Sequence, residues 1–504
     1  MADATSSLFL DVGLATLSLS FLCPRDLISL EATAKKTKAC LSGDVWRTLL
    51  MQYPWELSCG NRVTAEFERE CGPDQLQNYV AARQLWREKY RQVCRRDRSP
   101  IIIDIGSNTT KVGYACESFP TIVHATKSLS SSTKIFDTSC SAEIWAEILN
   151  NVFDLLGVCQ PSQARLCVLL RPFDLGFYEN KVSFVNTIRV LKKCCFRLLN
   201  VAALRVETTP VCALFSKGLS SGVVLEVGRA FTYSCCIFEG KLLMLRHQNT
   251  MLTKYGGYHL TKLMRKMVKD KQQVECGMSD AVLMKETLTY VRAARSQWTP
   301  SKETSFILDS IPFQMQGQEN AAIVQLREER YLVPESLFSP MMFEKFNLVD
   351  SRRAKHFVGV EELCRRALDS VQDDRGREIR KNLVCIGGGL DFPDLEVRLQ
   401  RSLKRSNIRI AKVVRGSRRI GVPKSNENRR WIAWKGCAAL LRSSEDYSKP
   451  SMISNCLKEK CGGEPGASSK DLGATGLRVS ESIADGITVQ DGLGVWMKKE
   501  DELR

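Results

Sequence analysis

From Ile101 to about Leu441 the chain alternates between short runs of branched aliphatic residues and longer stretches with helical spacing. The runs predicted as strands are Ile101–Ile105, Lys111–Ala115, Leu166–Leu170, Val201–Val206, Val223–Val227, Ser234–Phe238, Leu242–Leu245 and Leu383–Ile386. Between them Glu143–Leu156, Glu179–Leu199, His259–Val268 and Asp394–Leu403 repeat apolar residues three and four apart, as a helix with one buried face does. Strands separated by helices predict an α/β architecture whose sheets are covered on their faces. Before Ile101 the pattern is helical only. Residues 8–57 read as three short helices, and 61–98 as one charged helix with Leu76, Tyr79, Val80, Leu85, Trp86, Tyr90 and Val93 along a stripe. Arg95-Arg96-Asp97-Arg98 and then Pro100 mark a boundary.

Composition narrows the chemistry. The chain has 504 residues, too many for one ordinary domain, and its 73 Lys and Arg against 56 Asp and Glu leave a net charge of +17. That balance permits anionic nucleotides or acidic protein surfaces as partners without choosing between them. Twenty Cys stand against four His, with no Cys-x-x-Cys pair and no His at ligand spacing, so no metal site is expected. The scattered cysteines in apolar runs (Cys167, Cys212, Cys385) read as reduced, buried thiols of a nuclear or cytosolic protein. Leu8–Cys23 is apolar but is preceded by Asp3 and interrupted by Asp11, so it is not read as a signal peptide, and no uncharged run is long enough for a membrane span.

Three glycine turns carry the candidate chemistry. In Asp104-Ile105-Gly106-Ser107-Asn108-Thr109-Thr110-Lys111 a buried strand turns tightly and resumes, so that amides and hydroxyls converge where a phosphate could sit beside Lys111. Glu226-Val227-Gly228-Arg229 repeats the device, and Gly387-Gly388-Gly389 leads into a helix.

In that order these turns resemble the actin and actin-related protein family. The likeness runs over 100–442 and includes Asp104-x-Gly106-Ser107-x-x-x-Lys111, Lys285-Glu286-x-Leu288-x-Tyr290-Val291, Pro334-Glu335-x-Leu337-Phe338-x-Pro340, the Gly387–Gly389 turn with Arg398-Leu399, and Trp434-x-Gly436. It implies a two-lobed fold, shared with Hsp70 and sugar kinases, with Asp104 and Gly388 facing each other across a central crevice. It also implies ATP or ADP binding through Asp104, Gly106, Ser107, Lys111, Glu226, Gly228, Lys285, Glu286, Gly387, Gly388 and Gly389. Where actin carries an acid that holds metal-bound water, this chain has Arg229; the water-orienting glutamine falls at Thr209 and its supporting histidine at Tyr233. These departures predict slow or absent hydrolysis and no magnesium bound as in actin. Only the short segment Ala125–Ser141 stands in for the loop with which actin contacts its neighbour, so no homopolymer is expected. Val495–Glu500 resembles the closing Trp-x-x-Lys helix, set off by an insertion over 443–494. The basic run from Lys412 to Arg430 is read as a solvated loop, so nucleic acid is not an expected partner.

Residues 8–57 resemble an F-box through Leu17, Leu22, Pro24, Leu27, Leu30, Val45, Trp46 and Leu49. The resemblance implies docking on a Skp-type adaptor of a cullin ubiquitin ligase, with 58–99 as a charged helical linker and the α/β body recognising a protein substrate. An F-box ahead of such a body is similar to the plant-type F-box-containing actin-related proteins. A nuclear scaffold in a chromatin-remodelling complex is the alternative, and an active ATPase a third.

Overall fold

A computed structural model describes residues 46–47, 50–51, 60–77, 79–97, 99–129, 141–172, 181–243, 250–292, 310–315, 323–354, 356–371, 374–404, 429–443 and 497–498. Its organising strand is β1 (Ile101–Ile105), buried along its whole length. Ile101, Ile103 and Ile105 face one core, and Ile102 faces another with Cys167, Leu169, Cys212 and Trp434. The alternation of the pleat, buried on both sides, explains a run with no polar face to give away.

β1 pairs antiparallel with β2 (Thr109–Tyr114), which pairs with β3 (Ile122–Ala125). On its other side β1 runs parallel to β4 (Arg165–Leu170), and β4 to β5 (Ala203–Thr208). The second sheet repeats the scheme. β6 (Gly222–Val227) turns into antiparallel β7 (Thr232–Phe238) and lies parallel to β12 (Leu383–Ile386). β8 (Lys241–Leu242) and β9 (Thr250–Thr253) both add to β7, while β10 (Ile311–Gln314) and β11 (Ile323–Leu326) form a separate hairpin that the strand pattern did not predict. Helices cover the sheets. α3 (Ala142–Leu156) packs in the first core with Trp145, Ile148 and Val152, while α6 (Gly257–Gln272) and α8 (Val360–Asp369) pack in the second.

Two helices lock the halves together. α5 (Thr209–Phe215) follows β5 without a loop, and α10 (Ile432–Ser443) crosses it. At the crossing a Cβ on Gly436 would lie 1.8 Å from the Cys212 carbonyl oxygen, so only glycine lets the two backbones approach this closely.

Ahead of the body, the span read as one charged helix is two: α1 (Gly60–Gln77) and α2 (Tyr79–Asp97). The two helices pair where Phe67 and Trp86, both buried, meet edge to face with centroids 4.9 Å apart. Trp46 is fully buried with its ring 5.1 Å from that of Tyr90, and Arg47 donates to Glu68 at 2.6 Å. This differs from a tryptophan held ready for an adaptor, because the stripe on α2 already covers its ring. Leu17, Leu22, Pro24, Leu27, Leu30, Val45 and Leu49 lie outside the described residues. α2 is pinned to the body where Arg96 bonds Glu117 at 2.5 Å and lies over the Tyr114 ring, and Arg442 of α10 reaches the Glu117 carbonyl.

Three elements depart from expectation. Glu179–Leu199 is α4 (Lys181–Lys192) followed by a π-helical stretch, Lys193–Leu198. The strand expected over Leu242–Leu245 meets the two-residue β8 (Lys241–Leu242) at Leu242, and 244–245 lie outside the described residues. Near the C-terminus Met497–Lys498 is not helical but β13, paired antiparallel with Leu204 and Ala203 of β5. The edge of a sheet offers unpaired amides and carbonyls, and a strand there satisfies them where a helix could not. Among the described residues no helix is long and apolar enough to cross a membrane.

Candidate functional site

The two hairpins that open the sheets are built alike. In the first, the Gly106 amide donates to the Thr109 carbonyl at 3.0 Å; in the second, the Gly228 amide donates to the Phe231 carbonyl at 2.9 Å. Each turn follows a carboxylate by two residues, Asp104 and Glu226. The turns flank one crevice, closed on a further side by Gly387, Gly388 and Gly389. Gly387 has φ +93°, and a Cβ there would lie 2.3 Å from the Val227 carbonyl oxygen, so the third turn seats directly on β6. The crevice holds about 190 Å³, more than ten times the roughly 10–15 Å³ needed to seat one water.

Every residue named from the sequence for this site lines that crevice: Asp104, Gly106, Ser107 and Lys111 from the first hairpin, Glu226 and Gly228 from the second, Lys285 and Glu286 from α7 (Met278–Leu288), and Gly387, Gly388 and Gly389. Asp104 and Gly388 both face it. The amides of Ser107 and Asn108 take part in no hydrogen bond among the described residues, which leaves two donors of the first turn for an anion.

The charges are arranged in pairs. Lys111 stands opposite Asp104 in the β1–β2 register, and its Nζ donates to the carboxylate at 2.5 Å. Tyr233, one register position from the second turn's end, donates its hydroxyl to Glu226 Oε2 at 2.5 Å. Burial pushes the Glu226 carboxyl above its ordinary range, opposed by the Arg171 charge and the Tyr233 hydroxyl. Lys285 is buried, with Nζ bonded to Thr261 Oγ1 at 2.9 Å and the Gly257 carbonyl at 3.3 Å. Burial draws it down to about 8, helped by the Arg430 and Arg229 charges and opposed by Glu286. Arg430 bonds Glu286 at 2.8 Å.

Arg229 occupies the tip of the second turn. Its Nη1 donates to Asn108 Oδ1 of the first turn at 2.5 Å, and its guanidinium lies 5.4 Å from the Tyr258 ring centroid. Thr209, at the start of α5, uses its hydroxyl to bond the Leu170 carbonyl at 3.2 Å and is nearly fully buried.

These donors suit a polyphosphate better than a divalent cation. A divalent cation at a polyphosphate site keeps most of its waters and needs one or two carboxylates of the protein. Here Lys111 holds Asp104 Oδ2, Tyr233 holds Glu226 Oε2, and a guanidinium stands between the turns. Among the described residues no group of three or more His, Cys, Asp or Glu is placed to hold a metal. A magnesium ion held at these carboxylates would share the crevice with the Arg229 guanidinium, whose charge opposes it.

Sequence reasoning missed Arg171, Tyr258, Thr261 and Arg429, which also line the crevice, and treated Arg430 as part of a solvated run. Arg171 had a signal, a charged residue just past the carboxyl end of a buried strand, where α/β sheets place ligands. Tyr258 and Thr261 had none. One motif proves separate from the site: Arg398 is buried over the Phe338 ring and bonds Glu335 at 2.9 Å, tying two segments of the second core.

Comparison with known sequences points the same way as the geometry. A family profile described as actin matches residues 186–455, from within α4 to beyond α10. Actin-related protein 2 of Saccharomyces cerevisiae is 24% identical over 341 residues, spanning 61% of this chain and 81% of its own length.

Proposed function

Because the chain belongs to the actin family, we propose that it is an actin-related protein that grips adenine nucleotide without hydrolysing it and uses its body to recognise another protein. The family typically binds adenine nucleotide, and the crevice offers cationic side chains, turn amides and a glycine turn suited to phosphates. The observation that carries the non-hydrolysing reading is the state of the groups that would activate water. Phosphoryl transfer depends on positioning a nucleophile and offsetting charge. The Thr209 hydroxyl is committed to the Leu170 carbonyl, and the Glu226 carboxylate is committed to Tyr233. The Thr209 hydroxyl then has no proton left to donate to a water, and Glu226 is held on one oxygen by a phenol rather than facing a glutamine-positioned water.

The body then serves as a scaffold, and its N-terminal helices serve as its handle. In this reading the F-box-like residues other than Trp46 dock a Skp-type adaptor of a cullin ubiquitin ligase and the body presents a bound protein to it, as in the plant-type F-box-containing actin-related proteins. The packed pair α1–α2, tied to the body through Arg96 and Glu117, supports a fixed rather than a floating attachment.

Two measurements test this. Phosphate release from ATP by the full chain is expected to stay at background, and turnover comparable to actin refutes the reading of Thr209 and Glu226. The full chain is expected to capture a Skp-type adaptor and Leu27→Ala to lose it. A wild-type chain that fails to capture the adaptor removes the ligase role and leaves the chromatin-remodelling scaffold.

A further inference from the structure

We infer that the crevice takes its nucleotide free of any divalent cation, with the Arg229 guanidinium supplying the positive charge that a metal would otherwise bring to the phosphates. This rests on the nucleotide reading above and specifies which form of the ligand the site accepts.

A polyphosphate brings several negative charges, and a site must offset them with a bound cation or with its own side chains. In this crevice each carboxylate already has a partner on one of its oxygens. Lys111 neutralises Asp104, and Tyr233 holds Glu226. Arg229 takes up the space between the two turns and is fixed there from both sides, by its bond to Asn108 of the opposite turn and by the Tyr258 ring. A metal entering between the turns would meet this fixed positive charge, which opposes its own. A phosphate entering there meets a planar fork of donors matched to its oxygens, beside the amides of Ser107 and Asn108. Lys285 adds positive charge beside the second turn, its Nζ bonded to the Gly257 carbonyl, whose amide in turn bonds Gly228. Asn108 accepts from Arg229 and competes for nothing a phosphate needs, so it acts as a tether that holds the guanidinium before the ligand arrives.

The experiment is equilibrium binding of ATP to the full chain, once with excess EDTA and once with excess magnesium. The affinity in EDTA is expected to lie within about threefold of that in magnesium, and Arg229→Ala to weaken binding in EDTA by about tenfold or more, as loss of a charge-assisted phosphate contact does. Arg229→Asp, which restores a metal-seeking carboxylate, is expected to bind ATP better in magnesium than in EDTA. Unliganded melting of each variant checks that it folds, and Asn108→Ala gives a second route, with a smaller loss in EDTA. Binding that appears only with magnesium overturns the inference and leaves the nucleotide reading standing. Arg229→Ala binding in EDTA as tightly as the wild type also overturns it. No ATP binding in either medium overturns both.

Discussion

The bond between Tyr233 and Glu226 offers a test of the crevice that needs no ligand. Tyr233→Phe removes one hydroxyl from a buried ring and leaves the packing of β7 otherwise intact. A hydrogen bond to a buried charged group contributes about 1.5–3 kcal/mol. Its loss raises the Glu226 carboxyl further, in the direction that burial already sets. The sign follows from that direction. Glu226 titrates higher in the folded chain than in the unfolded one, so its ionisation costs stability as pH climbs above the unfolded value of 4.5. Removing the hydroxyl enlarges that cost at neutral and alkaline pH, whereas below 4.5 the carboxyl is protonated in both states and only a weaker neutral bond is lost. With an unfolding entropy of ~2.1 cal/mol/K per residue over roughly 340 residues, the melting temperature should fall by about 2–4 °C at pH 8 and by less at pH 4. Thermal melting of wild type, Tyr233→Phe, Glu226→Gln and the double variant across that range is the assay. In the Glu226→Gln background the phenylalanine should cost less and show no pH dependence. A loss of equal size at every pH, or one unchanged by Glu226→Gln, would show that the ring hydroxyl does not act through an ionised Glu226.

Two further outcomes are expected. Lys285 titrates near 8 in the free protein, and a bound phosphate would hold its proton, so ATP affinity should fall by up to about tenfold per pH unit above 8; calorimetric titration should find this slope absent in Lys285→Met. The same depressed pKa makes the unliganded fold gain stability between pH 8 and the ordinary lysine range. Gly436→Ala forces a methyl against the Cys212 carbonyl, a backbone atom that cannot swing away. It should cost about 1–3 kcal/mol or more of stability, read as a lowered melting temperature, although the residue does not line the crevice.

The strands were legible because their causes are local. Branched residues in unbroken runs favour extended backbone, and Ile101–Ile105 and Leu383–Ile386 fold over the residues expected. The glycine turns were legible for the same reason, since Gly106, Gly228 and Gly387 mark sharp reversals wherever the chain goes next. That is why the turn residues proposed for the crevice reach it, whereas Lys285 and Glu286, on a helix, were named only through the likeness to the actin family. What the pattern along the chain could not show was which charges cancel and which surfaces meet. Arg229 and Asn108 are 121 residues apart, and only the convergence of two hairpins makes one hold the other. Trp46 was read as facing a partner, but the fold turns it against Tyr90. Met497–Lys498 has helix-forming residues, yet the open edge of β5 draws it into a strand. In each case the deciding free energy comes from a neighbour distant in sequence. Local periodicity specifies which face of an element is apolar, whereas the packed body alone specifies what covers it.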